Sequence, residues 1–113
     1  MAGDRMRRIN GVLREVVGAA ISSDLSDPRI GFVTVTSVET SPDLRTAKVF
    51  VSVLGSDEDR EETLSGLRSS HGVLQTRIAA ETRMKRTPTL TFHYDPTVES
   101  GMRITKLLEE DEE

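Results

Sequence analysis

The run Leu64-Ser65-Gly66-Leu67-Arg68-Ser69-Ser70-His71-Gly72-Val73-Leu74 joins two helical patterns through a bend. Upstream, Leu64 and Leu67 are apolar positions one turn apart. Downstream, from Val73 to about Met84, Leu74, Ile78 and Ala80 repeat at helical spacing, and Ser69 to Gly72 interrupts the two patterns. Helices this short do not stand alone in water, so the segments on either side must supply the surface that covers them.

Before the first of these helices, Gly55-Ser56 ends an extended region. Ser56 with Asp59 three residues later forms a capping box with Asp in the usual Glu position. Asp57, Glu58 and Asp59 then sit where the helix dipole favours negative charge. Further upstream, Ile30 to Glu39 is dense in β-branched residues. Leu44 to Leu54 alternates, with Ala47, Val49, Val51 and Val53 on one side and Lys48, Phe50 and Ser52 on the other. Thr40-Ser41-Pro42-Asp43 between them is turn chemistry and predicts an antiparallel hairpin. Residues 5–23 carry Met6, Ile9, Leu13, Val16, Val17 and Ala20 at spacings of three and four, an amphipathic helix that must stop before Asp27-Pro28.

After the bend, Thr87-Pro88 breaks the helix, and Leu90, Phe92 and Tyr94 alternate with Thr89, Thr91 and His93 as a third strand. Asp95-Pro96-Thr97 turns into a last short helix with Val98, Met102, Ile104, Leu107 and Leu108 as its apolar stripe. Glu109 to Glu113 form an acidic tail expected to be disordered. The order α-β-β-α-kink-α-β-α predicts a single α+β domain over residues 1–108, a three-stranded sheet with helices on one face.

A chain of 113 residues has room for one modest core and no separate cofactor domain. Without cysteine it has no disulfide, thiolate metal site or thiol nucleophile, and no apolar run suits a signal peptide or membrane span. His71 and His93 are the only histidines and lack a second metal-ligating partner at useful spacing; no serine sits in a nucleophile elbow, and no phosphate loop or dinucleotide fingerprint occurs. Neither catalysis, a cofactor nor a metal is expected.

The formal charge of −4 misleads, because five of the nineteen acids are residues 109–113; residues 1–108 carry +1. Asp57 to Glu62 takes five more acids, so basic residues dominate elsewhere. They form two groups: Arg5, Arg7, Arg8 and Arg14 on the first helix, and Arg68, Arg77, Arg83, Lys85 and Arg86 around and beyond the bend. Twelve of the fifteen are Arg, which suits two-pronged contact with phosphate, although solvated helix faces would account for the same pattern. Gly72 permits close backbone approach, and a helix N-terminus beside it directs N–H groups at an anion. A plain helix C-cap would equally place a glycine there.

A helix-bend-helix preceded by a hairpin and followed by a strand is the order of a type II KH domain, in which two helices and a sheet wall clamp a nucleic-acid backbone. The whole chain resembles the ribosome-binding factor A family. The resemblance rests on Asp27-Pro28-Arg29 with Val33-Thr34-Val35-Thr36, on Ser41-Pro42-Asp43-Leu44 with Ala47-Lys48-Val49-Phe50-Val51-Ser52, and on Gly72. Arg86-Thr87-Pro88-Thr89-Leu90-Thr91-Phe92 and Tyr94-Asp95 continue it, from about Arg5 to Leu108. It implies a cytoplasmic bacterial factor, monomeric when free, that binds the small (30S) ribosomal subunit and its 16S ribosomal RNA and assists late maturation of the RNA 5′ region. The family's Ala-x-Gly kink corresponds to Ser70-His71-Gly72 here, with Ser in the Ala position. RNA contact is then expected from Arg5, Arg7, Arg8, Arg14, Arg68, Ser70, His71, Gly72, Arg77, Arg83, Lys85 and Arg86. Phe32, Phe50, Phe92 and Tyr94 all fall on strands and most are expected in the core, which leaves few rings for base stacking and favours a structured RNA site. The alternative is a protein-interaction module that recruits a partner strand to an exposed sheet edge, with the basic residues only solubilising.

Overall fold

The computed structural model describes residues 2–97. Three helices and three strands follow in the order α1 (Ala2–Asp24), β1 (Val33–Thr40), β2 (Thr46–Val53), α2 (Asp57–Ser69), α3 (His71–Thr82) and β3 (Thr89–Tyr94). The last helix and the acidic tail read from the sequence lie, from residue 98 onward, outside the described residues. The sheet is mixed. β1 and β2 pair antiparallel as the hairpin reading required, and β3 lies parallel to β2 with Ala47 opposite Leu90 and Val49 opposite Phe92. A parallel neighbour needs a long crossover, which α2 and α3 supply.

Both strand starts fall later than the apolar pattern suggests, each for a local reason. Ile30 belongs to a loop docked on α2: Thr63, buried in that helix, accepts from the Gly31 N–H (3.2 Å) and donates to the Arg29 carbonyl (3.4 Å). Asp27 holds the same loop, accepting from the Arg29 N–H at 2.9 Å and from its guanidinium at 2.6 Å. β2 begins only at Thr46 because Leu44 adopts a left-handed turn conformation with φ 61°. A bulge between Val35 and Ser37 sets Thr36 out of register, and its hydroxyl donates to Asp95 at 2.7 Å.

The core lies between one sheet face and the helices. Leu13, Val17 and Ala20 of α1 meet Val38, Ala47, Val49 and Val51 of the hairpin. Leu64, Leu67, Leu74 and Ile78 of α2 and α3 close on Leu90 and Phe92. Ala80, grouped with these by its spacing, is exposed.

The junction between α2 and α3 is tighter than the sequence pattern indicates. α3 starts at His71, so a single residue, Ser70, separates the helices. Its φ and ψ of −96° and 8° sit between the helical and extended regions. Its N–H donates to Gly66 and Leu67 carbonyls, while its own carbonyl accepts from Val73 (3.1 Å) and Leu74 (3.3 Å). Gly72 therefore lies inside the first turn of α3 and is not among the residues of positive φ; a β-carbon there would meet nothing within 4 Å. Gly66 is the glycine the packing needs, since its β-carbon would come 2.7 Å from Ile30 Cγ1.

The two glycines make opposite predictions. Gly66→Ala should lower stability by about 1–3 kcal/mol through overpacking against Ile30. Gly72→Ala should leave stability unchanged or raise it by up to about 1 kcal/mol. Urea denaturation of both variants checks this, and destabilisation by Gly72→Ala would show that the junction does use its conformational freedom.

Candidate nucleic-acid interface

The α2–α3 junction and β3 face each other across a cleft of about 350 Å³, lined by Arg68 and His71 on one side and by Leu90, Thr91, Phe92 and His93 on the other. Side chains from the helices build it. Arg68, in the last turn of α2, donates from Nη2 to the Phe92 carbonyl at 3.1 Å. Gln75, one turn into α3, accepts from the Leu90 N–H and donates to the Pro88 carbonyl, both at 3.0 Å, and so pairs with β3 as a neighbouring strand would. His93 contacts Thr91 Oγ1 through Nε2 at 2.8 Å and packs its ring on Phe50 with centroids 5.6 Å apart. The two histidines, 22 positions apart in sequence, thus line one groove; no cluster of three metal-ligating side chains occurs among the described residues.

These contacts also occupy the strand edges. On β3, Gln75 and Arg68 take Leu90 N–H and Phe92 C=O; on β1, the Thr40 N–H donates to Asn10 Oδ1 at 3.0 Å. A partner strand would have to displace side chains at both edges.

The basic residues divide between two places. Arg5, Arg7, Arg8 and Arg14 are exposed on α1 and make no ion pair among the described residues. The Asn10–Thr40 bond ties this half of α1 to the end of the sheet where Thr89 N–H donates to Arg45 O (2.9 Å). The exposed Arg83, Lys85 and Arg86 enter β3 at that same end. Arg83 takes the left-handed conformation that ends α3, with φ 53°. Arg45 and Lys48, outside both groups in the sequence reading, belong to this end as well; the turn residues before Arg45 were the available signal. Arg68 and His71 lie apart, at the cleft.

Arg77 serves the architecture. Its Nη1 donates to Asp24 at the end of α1 at 2.7 Å, and its Nε donates to Glu81 one turn along α3. Both acids hold its proton more firmly than usual, Asp24 most of all, and Arg77 in turn depresses the Asp24 carboxyl. A partner 53 residues away leaves no local trace in the sequence. The rings meet the expectation of core placement in part, and Phe32 falls just before β1. Phe92 is core, Tyr94 lies under the Arg60 guanidinium at 4.2 Å, and Phe32 is 81% exposed.

A hairpin, two helices meeting at one residue and a parallel strand across a cleft define a KH-like α+β domain with its groove between junction and strand. A family model described as ribosome-binding factor A matches residues 5–108, and the chain belongs to that family. A ribosome-binding factor A from Halothermothrix orenii is 43% identical over 108 residues, covering 96% of this chain and 88% of that one. The crystal structure of ribosome-binding factor A from Thermus thermophilus superposes with a TM-score of 0.72 at 27% identity, over 79% of this chain and 93% of that one. A homology model of the Thermus thermophilus factor, fitted into the cryo-EM map of its complex with 30S, matches with a TM-score of 0.65 at 28% identity, over 77% and 91% of the two chains. No helix among the described residues is long and apolar enough to cross a membrane.

Several carboxylates are held in their charged form. Hydrogen bonds from the Arg29 guanidinium and N–H lower Asp27 from 3.8 to about 2. The Arg77 guanidinium lowers Asp24, the Ser41 hydroxyl Asp43, the Ser56 N–H Asp59 and the Thr36 hydroxyl Asp95. A carboxyl that binds protons less well folded than unfolded stabilises the fold fully above its unfolded value and loses that contribution as pH falls through the folded one. The urea midpoint should therefore hold level down to about pH 5 and fall between about pH 4 and 2. Asp27→Asn should lower the plateau and flatten the acid limb. A midpoint of Asp27→Asn that tracks the parent at every pH would refute the assignment.

Proposed function

We propose that the protein is a ribosome assembly factor that binds the 30S subunit, contacts 16S ribosomal RNA and assists late maturation of its 5′ region, without catalysing a reaction itself. The observation that carries this reading is the family match across residues 5–108, joined to a groove walled by the helix junction and β3. The Thermus thermophilus relative in its 30S complex supports the same partner.

Binding follows from electrostatics and shape. Arg5, Arg7, Arg8 and Arg14, with Arg83, Lys85 and Arg86, meet phosphates at one end of the sheet and set the orientation of the domain on folded RNA. Arg68 and His71 line the groove, Ser70 faces a second hollow with Asp27, Arg29 and Val73, and the backbone at Gly72, next to His71, has open space above it for a sugar-phosphate chain. Glycine inside a helical turn loses about 1 kcal/mol against alanine, and nothing within this chain needs the missing β-carbon. Close approach by a ligand gives that sacrifice a purpose. Arg77 holds α3 against α1 and so keeps the groove in register.

Co-sedimentation with purified 30S subunits should be strong at low salt and fall steeply as salt rises. Arg8→Glu with Arg86→Glu should weaken it and lower the log–log salt slope by about 0.7–0.9 for each phosphate contact removed. Arg77→Ala should reduce stability more than it reduces the slope. Absence of binding to subunits and to their RNA at any moderate salt would overturn the reading.

A further inference from the structure

The sheet has a second face, and the described residues leave it uncovered. Alternation along the hairpin turns Thr34, Lys48, Phe50 and Ser52 away from the core. The ladder continues past the strand ends, where the Leu54 N–H donates to the Phe32 carbonyl at 3.0 Å. Phe32 is 81% and Leu54 73% exposed; they lie just outside core-facing Val33 and Val53, so both stand on the open face, beyond Thr34 and Ser52 on the same side as the Phe50–His93 ring pair. Two large apolar side chains fully presented at neighbouring positions of a sheet need an occupant.

The chain itself delivers one. β3 ends beside the same end of the sheet, with the Asp95 N–H donating to the Val51 carbonyl at 2.8 Å. Asp95 follows Tyr94 in the alternation, and its carboxylate crosses β2 on the open side to accept from Thr36 on β1. It also accepts from the N–H and hydroxyl of Thr97, capping a helical start in which Pro96 occupies the first position. Residues 95–97 thus tie the chain to the open face immediately before 98–113 begin. At helical spacing Val98, Met102, Ile104 and Leu108 fall on one side of that segment and Glu99, Arg103 and Lys106 on the other. Eleven helical residues span about 16 Å. Val51 to Leu54 is about 10 Å of strand, so the apolar side can reach the pair. Tethering so near the patch gives the segment an effective concentration in the millimolar range, which a separate partner would have to match.

We propose that residues 98–108 dock their apolar side across the open face of the sheet, against Phe32, Leu54 and Phe50. The five acids that follow are thereby carried to this face, where they repel phosphate. RNA is left the groove and the basic end, and the open face is closed to it.

The absence of cysteine makes a direct test available. Lys106→Cys in the full chain takes a nitroxide on the polar side of the segment, and paramagnetic broadening is read at backbone amides. The proposal requires several-fold loss of signal at Thr34, Phe50 and Ser52 relative to Arg14 and Ala19 on the outer side of α1. That loss should disappear when Met102→Asp and Leu108→Asp are added, and equally with Phe32→Ser, an exposed position whose change leaves the core intact. Even broadening over all surfaces overturns it. So does broadening confined to samples in which labelled and isotope-enriched chains are mixed, which would assign the face to a second copy. An unbroadened face whose Phe32 and Leu54 signals shift on titration with a 16S RNA fragment would assign it to nucleic acid and overturn the proposal too.

Discussion

Ser70 has one backbone donor and one backbone acceptor, and the fold uses both at once. The N–H closes α2 onto Gly66 and Leu67, and the carbonyl opens α3 onto Val73 and Leu74. With no spare residue between the helices, the direction in which α3 leaves α2 is set by a single pair of dihedral angles. The groove depends on that direction. Arg68 reaches Phe92, and Gln75 reaches Pro88 and Leu90, only if both helices present these side chains to the same strand edge. A longer linker would let the helices drift, the two side-chain bridges would be lost, and β3 would offer bare N–H and C=O groups to other chains. The junction therefore shapes a ligand groove and protects an edge strand by the same contacts.

How far this was legible in the sequence depends on the range of the interaction. Alternation marked β2 and β3, turn residues marked the hairpin, and Ser56 with Asp59 formed the capping box that their spacing announced. Each of those signals is complete within a few residues. The start of β1 was not legible, since Ile30 is as strand-like as Val33. What removes it from the sheet is Thr63, more than thirty residues on, together with the missing side chain of Gly66. The same limit applied to the site. Composition located the arginines but could not separate Arg77, committed to Asp24, from Arg83 and Arg86, which are exposed. Nor could it show that His71 and His93 share a groove.

Gly72 shows why a motif can be noticed correctly and explained wrongly. Read alone, a glycine at a bend suggests a backbone that only glycine can adopt. The bend belongs to Ser70 instead, and Gly72 occupies ordinary helical space with nothing above it. Its value, if it has one, must lie outside the chain, because inside it alanine would serve the helix better. An internal explanation was available for Gly66, where Ile30 fills the missing volume, and it suffices there.

Charge is also arranged along an axis. β2 runs from the end occupied by Arg45, Arg83, Lys85, Arg86 and the first half of α1 toward Val53. Four residues beyond Val53, α2 opens with Asp57, Glu58 and Asp59, followed by Glu61 and Glu62. Eight strand residues put about 26 Å between these poles, well over the Debye length of about 8 Å at physiological salt. Ions therefore screen each pole largely by itself, and the near-cancellation in the total charge does not cancel the field close to either end. Against a polyanion such a domain is turned as well as attracted, the basic end inward and the acidic helix start outward. The acids of α2 stabilise their own helix through the dipole, and the same placement keeps them clear of the surface that the arginines face. For a domain this small, a large net positive charge would hold RNA in many poses; a modest one, polarised along the sheet, favours one.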